Sequence, residues 1–438
     1  MDQKTKKFQT ILLAILGVGL VLGLMIFSGF IKTPQRGSEG VVVATGDITM
    51  WGPFPSVYIS EFVNNFNGEN KNSVLSYVPI NPETYDEELL EAFASGNVPD
   101  VVILPHTLIS RYSDKLIILD EVTFPVRNFR DIYSQGSEIF KIKQGTVGLP
   151  VGVDPLVMYY NRDIIESAGF VNPPSFWNGD FITFSQTITK KLDNDIEINL
   201  SAVPLGETSN IKHAIPIIST LAMQLGSLMT IEGEAGFESL FTEPSLVTNA
   251  PVSSSLEYFT NFSNPSHENY SWNNDMPEAR DAFSAGKTAL YFGFASELLE
   301  IQRKNPNLNF DVVQVPQIEE LNKSLTYGNF YALAVPKISK NTTGAFSVSG
   351  AIASGSYTAS FLSAVGLQPV RKDLLAIKPP NPYQKIFFDS AIIARAWITP
   401  NPRLLDNIFT DMVSNITSGR LNPTRAVNEA SEKINDAF

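Results

Sequence analysis

The stretch GLPVGVDPLVMYYNRD, residues 148–163, reads as a buried strand with one exception. Its nearly unbroken run of apolar side chains predicts a strand that is covered on both faces. Asp154 lies inside that run, and a carboxylate is stable in an apolar setting only when it has hydrogen-bond partners. The stretch then ends in a polar Tyr-Asn-Arg-Asp. There, Asn161 and Asp163 predict the start of a helix that Gly169 ends.

Two other segments share the local order helix, glycine, strand. A helix from Pro82 ends at Gly96 and precedes the strand VPDVVIL, while a helix from Pro277 ends at Gly286 and precedes the strand ALYFGF. Such units are typical of the crossovers in a largely parallel sheet that is covered by helices. The sequence therefore predicts an α/β fold.

Composition restricts the class of protein. A chain of 438 residues is longer than a domain with a single hydrophobic core usually is, so two or three domains are expected. A net charge of −13 argues against a nucleic-acid partner, because phosphate binding needs a basic face. The chain has no cysteine, which excludes disulfides, thiolate metal sites and an N-terminal lipid-modified cysteine.

The N-terminus has the composition of a membrane anchor. A short tail (residues 1–10) carries three lysines and precedes an apolar run, residues 11–31. As a helix that run is about 31 Å long, enough to cross a bilayer. A Pro-, Gly- and Ser-rich linker, residues 32–46, follows. We therefore expect an uncleaved, single-pass transmembrane helix in the cell membrane, with the body on the extracytoplasmic side.

Motifs of common enzymes are missing from the sequence. The three histidines stand apart and form no helical metal pair, and there is no GxSxG elbow, Walker loop or Rossmann glycine signature. No catalytic residue, metal site or cofactor is predicted, and the pattern favours a binding protein over an enzyme. An enzyme that uses only two carboxylates leaves no spacing signature, so that alternative stays open.

Five motifs together resemble one family, the extracellular solute-binding proteins of ABC importers, and within it the carbohydrate-binding branch that includes maltodextrin-binding proteins. They occur in the family's order from about Asp47 to the C-terminus: LLEAFASGNVPDVVIL, GTVGLPVGVDPLVMYYNRDIIESAGFVNPPSFW, ARDAFSAGKTALYF, YGNFYALAVPKISKN and SGRLNPTRAVNEASEKIN. The chain departs from the family at two points. WNGDF has one residue more than the usual Trp-x-Glu-Phe, and the lipid-bearing cysteine is absent.

The resemblance implies a two-lobed, type II periplasmic-binding-protein-like fold, preceded here by the transmembrane helix. Lobe 1 would hold residues 47–158 and 317–365, and lobe 2 would hold residues 159–316 and 366–438. The ligand would lie in a cleft between lobes that close by a hinge motion.

Eight side chains are candidate ligand contacts, because they follow strands or lie where the resemblance puts the cleft: Trp51, His106, Asp154, Asn210, Trp272, Phe294, Asn329 and Trp397. An aromatic ring packs on the C–H face of a sugar, and fixed polar groups bind its hydroxyls. Most of these candidates also have a structural alternative. The aromatic rings fit a core, Asp154 fits a helix cap or an arginine pair, and Asn329 and His106 fit a turn and a loop.

The resemblance predicts a monomeric, membrane-anchored binding protein that captures a small-molecule solute, a carbohydrate and specifically an oligosaccharide. It would deliver this solute to the permease subunits of an ABC importer. Three alternatives stay open. The protein could be a ligand-sensing ectodomain or scaffold with the same fold. It could bind a non-sugar solute such as a peptide, a polyamine or an oxyanion. It could also be an anchored enzyme that cleaves glycans.

Overall fold

The computed structural model describes residues 46–70, 74–192, 196–321, 323–355 and 357–438. The predicted tail, the predicted anchor at residues 11–31 and all but the last residue of the predicted linker lie outside this range. Among the residues that the structure describes, no helix combines the length and the hydropathy needed to cross a membrane.

The chain divides into two compact units. The first contains the described residues up to Pro105, together with Tyr112–Gly152 and Phe330–Leu374. The second contains His106–Arg111, Val153–Asn329 and Leu375–Phe438. The lobe boundaries suggested by the family resemblance stay predictions, because a lobe is defined by what moves as a rigid body rather than by proximity.

The first unit is built on parallel strands. Ile48–Gly52 pairs in parallel with both Leu75–Pro79 and Val101–Pro105. Val101–Pro105 in turn pairs antiparallel with the end of Thr326–Ala334. A small antiparallel sheet consists of Ile118–Leu119, Gly145–Val147 and Lys141–Ile142, and the short strand Gln368–Pro369 pairs with Leu149–Asn161.

Helices cover these strands. Those of the first unit are Ser56–Glu69, Tyr85–Ser95, Val126–Ile132, Thr342–Ser354 and Tyr357–Val365, with 3-10 turns at Ser113–Lys115 and Gln135–Phe140. The helix Tyr85–Ser95 is an example of how the sequence determines where a helix begins and ends. Its first turn is acidic, which favours the helix N-terminus, and Gly96 ends it at a φ of 74°. The Tyr85 hydroxyl donates to the Ile103 carbonyl at 3.0 Å and so ties the helix to the neighbouring strand.

The second unit is larger and mixes strand directions. Its strands, besides the parts of Leu149–Asn161 and Thr326–Ala334 that belong to it, are Lys190–Lys191, Ile198–Leu200, Thr230–Glu232, Phe237–Ser239, Leu290–Phe294, Phe310–Val313 and Ala394–Arg395. Its helices are Arg162–Ser167, Gly179–Ile188, Ala214–Gln224, Pro251–Asn261, Ala279–Ser284, Leu298–Lys304, Pro382–Ile393, Pro402–Thr417 and Pro423–Asn435, with 3-10 turns at His106–Leu108 and Ala295–Glu297. Two short helices, Ile109–Tyr112 and Lys372–Leu375, fall where the chain passes from one unit to the other.

The expectation of a largely parallel sheet is wrong for the second unit. Leu290–Phe294 and Phe310–Val313 both pair antiparallel with Leu149–Asn161. The order helix, glycine, strand is a local pattern. Strand direction depends instead on the pairing partner, which here is more than a hundred residues away in sequence.

The stretch at residues 148–163 folds as its composition predicts. All thirteen residues of Leu149–Asn161 are buried. Gly148 precedes the strand at a φ of 76°, and a Cβ there would lie 2.7 Å from the Leu333 carbonyl oxygen, so only glycine fits. The Asn161 side chain accepts from the Ile164 N–H at 3.1 Å and begins the next helix, and Gly169 follows its end at a φ of 87°.

Candidate ligand-binding site

Asp154 lies in the strand Leu149–Asn161, two residues before the part that pairs with Leu290–Phe294. Its side chain is 6% exposed, and Ser296 occupies both of its oxygens: the Ser296 N–H donates to Oδ1 at 3.0 Å and the Ser296 hydroxyl contacts Oδ2 at 2.5 Å. Ser296 belongs to the turn Ala295–Glu297, which leads into the helix Leu298–Lys304. In this structure the carboxylate therefore caps a helix entrance, one of the two roles that its sequence context allowed.

The electrostatics of Asp154 differ from those of an ordinary carboxylate. The pKa of Asp154 is raised from 3.8 to about 7. Burial is the largest cause of this rise and Glu297 adds to it, while the hydrogen bonds from Ser296 act in the opposite direction. A low-dielectric setting disfavours the charged form, which explains the direction. Near neutral pH this group therefore exists both as a carboxylic acid, which donates, and as a carboxylate, which accepts.

A second buried carboxylate, that of Glu297, lies in the same turn. Its Oε1 contacts His213 Nε2 at 2.5 Å, and its Oε2 accepts from the Tyr291 hydroxyl at 2.6 Å. Burial by itself would raise the pKa of Glu297, but His213, Tyr291 and Arg280 together lower it below its usual value. Glu297 is thus held as a carboxylate and fixes the His213 ring.

Aromatic rings surround these polar groups. Phe294 ends the strand before the turn, and its ring centroid lies 4.9 Å from that of His213, edge to face. Tyr327 also contacts Phe294, with ring centroids 6.4 Å apart, and its hydroxyl is 3.0 Å from His106 Nε2. His106 and Phe294, two of the predicted contacts, are therefore joined through Tyr327, which was not predicted.

We call Asp154, His213, Phe294, Ser296, Glu297, Tyr327 and His106 the Asp154 cluster. It combines hydroxyls, imidazoles and carboxyls with two aromatic rings, so it offers hydrogen-bond donors and acceptors beside apolar faces. Such a mixture suits a neutral ligand with many hydroxyl groups better than a strongly charged one.

Asn210 and Trp272 are brought together, but they bind each other. Trp272 is 0% exposed, and its indole N–H donates to Asn210 Oδ1 at 2.9 Å. The Asn210 amide donates to the carbonyls of Asn273 and Met276, each at 2.9 Å. All of these polar atoms are engaged within the protein, so in this arrangement the pair braces a loop.

The remaining candidates are spread over the chain. Trp397 is buried, and its N–H donates to the Ser219 hydroxyl at 3.0 Å while its ring packs edge to face on Phe241. This is the core-packing alternative that the sequence left open. Trp51 in the first unit and Asn329 in the second are both partly exposed. Nothing in the structure tests the ligand role of any of the eight, and those roles stay predictions.

Residue-level reasoning missed Ser296, Glu297, His213 and Tyr327. A usable signal was present for two of them. Ser296 and Glu297 directly follow the strand that ends at Phe294, and ligand groups tend to lie beyond strand ends. No sequence signal linked His213 to Glu297, because 84 residues separate them. Among the described residues, no group of three or more His, Cys, Asp or Glu side chains is arranged to hold a metal ion.

Comparison with known proteins identifies the family. The model of the bacterial extracellular solute-binding protein family matches residues 55–349, more than half of the chain. The chain therefore belongs to that family, and the membership predicted from the five motifs is confirmed. None of the curated proteins with which the sequence was compared matches it.

Solved structures share the fold over most of the chain. The sugar-binding protein MalE from Xanthomonas citri has a TM-score of 0.69 at 17% identity, covering 89% of this chain and 97% of that one. A binding protein for cyclic α-maltosyl-1,6-maltose from Arthrobacter globiformis has a TM-score of 0.69 at 15% identity, with 89% and 98% covered. A solute-binding protein from Thermotoga lettingae, bound with α-D-tagatose, has a TM-score of 0.66 at 18% identity, with 90% and 100% covered. These likenesses confirm the predicted mixed α/β, two-lobed solute-binding fold.

Proposed function

We propose that this protein binds a carbohydrate, an oligosaccharide, and delivers it to the permease of an ABC importer. The observation that carries this proposal is the Asp154 cluster, in which buried hydrogen-bond donors and acceptors lie beside the rings of Phe294 and Tyr327. The similar proteins named above are described as binding sugars, which supports the same class of ligand.

In this proposal Asp154 receives the sugar. A carboxyl group bonds two adjacent hydroxyls, and a ligand that replaced Ser296 as its partner would satisfy both oxygens at a buried position. Phe294 and Trp51 would present rings to the sugar's C–H faces, and His106 and Asn329 would bond its hydroxyls. Binding would favour a closed form to the extent that the ligand has greater affinity for that form.

The anchor and the importer complete the proposal. Residues 11–31 would hold the protein, a monomer, in the cell membrane with its body on the extracytoplasmic side. Permease subunits in the same membrane would then receive the solute. A tethered binder searches for its permease at a high effective concentration, which is the advantage that such an anchor provides.

The test is a thermal-shift and calorimetric screen of the protein with maltodextrins, other oligosaccharides, monosaccharides, peptides, polyamines and oxyanions. An oligosaccharide at a hundred times its dissociation constant should stabilise the fold by about 2.7 kcal/mol. Asp154→Asn should weaken that binding about tenfold or more, since one carboxyl oxygen that accepts a hydrogen bond from a sugar hydroxyl is replaced by an NH2 group. Asp281→Asn, a matched change at an exposed acid of the same unit, should not.

Three results would contradict the proposal. If only non-sugar solutes stabilise the protein, its ligand is not a carbohydrate. If the oligosaccharide is recovered in a shortened form, the protein is an enzyme that cleaves it. Equal affinity of wild type and Asp154→Asn for the sugar would remove the Asp154 cluster as the site.

A further inference from the structure

The first unit contains a surface cavity of about 410 Å³ that is separate from the Asp154 cluster. Three segments form it: the helix Val126–Ile132, the 3-10 turn Gln135–Phe140 and the start of the helix Lys372–Leu375. Its lining residues are Phe129, Arg130, Tyr133, Gln135, Glu138 and Lys372. All six belong to the first unit, whereas the Asp154 cluster belongs to the second.

Cations outnumber acids on the walls of this cavity. Arg130 bonds Glu138 through Nε at 2.9 Å and Nη2 at 3.1 Å, and this fork fixes the guanidinium while Nη1 takes no part in it. Lys372 Nζ donates to the Arg130 carbonyl at 2.5 Å, which uses one of the three donors of an ammonium group. A further ammonium, that of Lys141, lies 5.9 Å from the Phe129 ring centroid. Two cations and one acid give the lining a formal charge of +1, in a chain whose net charge is −13.

Tyr133 adds a buried donor. Its side chain lines the cavity and is 1% exposed, yet its hydroxyl has no hydrogen-bond partner among the described residues. Burial raises the pKa of Tyr133 well above its ordinary value, so the hydroxyl keeps its proton. Buried polar groups are nearly always paired, and an unpaired one costs about 1–3 kcal/mol. A ligand acceptor would remove that cost.

We propose that this cavity is a second ligand site, specific for a small organic anion that carries a carboxylate or a phosphate group. Arg130 uses two of its five N–H donors on Glu138, Lys372 uses one of its three on the Arg130 carbonyl, and the Tyr133 hydroxyl has no partner among the described residues. An oxyanion supplies several acceptors together with the opposite charge. The volume falls in the range of about 300–1,000 Å³ that is typical of small-molecule sites and exceeds what an inorganic ion fills. This inference does not rest on the sugar-binding proposal.

Titration calorimetry of the full-length protein with three matched ligands tests the site. Glycerate carries the carboxylate, glycerol 3-phosphate carries the phosphate, and glycerol carries neither. At least one anion should bind, glycerol should not, and the affinity should fall as salt is raised, because the attraction is partly screened. Which anion binds more tightly identifies the group that the site prefers.

Two substitutions and one control locate the binding. Lys372→Gln should weaken anion affinity by about tenfold or more, as the loss of a charged partner does. Tyr133→Phe should also weaken it, while leaving the melting temperature of the unliganded protein unchanged or higher, since the lost hydroxyl had no partner. Lys433→Gln removes an exposed cation of the second unit and should have no effect.

The inference is overturned if neither anion binds. It is also overturned if Lys372→Gln and Lys433→Gln weaken binding equally, which would indicate attraction by overall charge. Neither result bears on the sugar-binding proposal, because the thermal-shift response to oligosaccharides is measured without these anions.

Discussion

Asp154 is a buried acid whose two oxygens both face one neighbouring residue, Ser296. No arginine or lysine is among the groups that shift its pKa, and the nearby Glu297 is itself an acid. The native state therefore prefers the protonated form, whereas the unfolded state ionises near the ordinary value. This difference in proton binding makes stability depend on pH.

The first prediction concerns that dependence. Between about pH 4 and pH 7 the native state binds more protons at Asp154 than the unfolded state, so this group's contribution to the free energy of unfolding falls as pH rises. Below pH 4 both states are protonated and above pH 7 both are ionised, so the contribution is constant there. Asp154→Asn cannot titrate. The variant should therefore become more stable relative to wild type as pH rises. The difference between their free energies of unfolding should increase by at most about 4 kcal/mol from pH 4 to pH 7, since each pH unit corresponds to about 1.36 kcal/mol.

Urea unfolding of both proteins at a series of pH values checks this prediction. The quantity to compare is the difference in free energy of unfolding between the two proteins, because titrating groups that do not interact with Asp154 cancel in it. A difference that stays flat from pH 4 to pH 7 would mean that Asp154 has an ordinary pKa in the native state.

At the scale of elements, asparagine begins many of the helices. Within the described part of the chain, six helices have an asparagine side chain that accepts a hydrogen bond from a backbone N–H of the first turn: Asn161, Asn178, Asn341, Asn381, Asn401 and Asn422. Three of these precede a proline at the first helical position, which needs no N–H there. Asn178 begins its helix within WNGDF, the segment that has one residue more than the family pattern.

The second prediction tests one of these caps. Asn422→Ala should lower the free energy of unfolding by about 1 kcal/mol, because the Arg425 N–H loses its acceptor at 2.9 Å. The same substitution at Asn428, an exposed position inside that helix, should raise stability by a few tenths of a kcal/mol, since alanine is the better helix former. Chemical denaturation measures both. Effects of the same sign at the two positions would show that the cap contributes nothing specific.

At the scale of the whole molecule, family membership and fold are established, and the attachment to a membrane is still a proposal. The predicted anchor lies outside the described residues, and its sequence carries the proposal. The apolar run at residues 11–31 carries no charge, which is the property that a membrane helix requires.

The third prediction addresses this attachment. The full-length chain should stay with the membrane fraction after a high-salt or alkaline wash, whereas a chain that starts at Asp47 should be released. Leu22→Arg, near the middle of the run, should reduce membrane retention, because a central arginine costs about 2.5–3.5 kcal/mol. Release of the full-length chain by the wash, or retention of the chain that starts at Asp47, would contradict a membrane-spanning anchor.

The sequence by itself determined the local structure and the family. The helix start at Asn161, the helix ends at Gly96 and Gly169, and the buried strand from Leu149 follow from side chains within a few residues of each other. Such short-range signals are readable because caps and periodicity act within one or two turns. The five motifs, taken in order, identified the family in the same way.

Only the tertiary structure decided strand direction in the second unit and the partners of the candidate residues. Asp154 meets Ser296 across 142 residues, and Trp272 meets Asn210 across 62. Pairings of this kind arise when distant segments bury apolar surface together, and no local pattern encodes which polar groups then become neighbours. For that reason the sequence pointed to Asp154 as an unusual acid, and the fold alone showed that burial raises its pKa and that Ser296 is its hydrogen-bond partner.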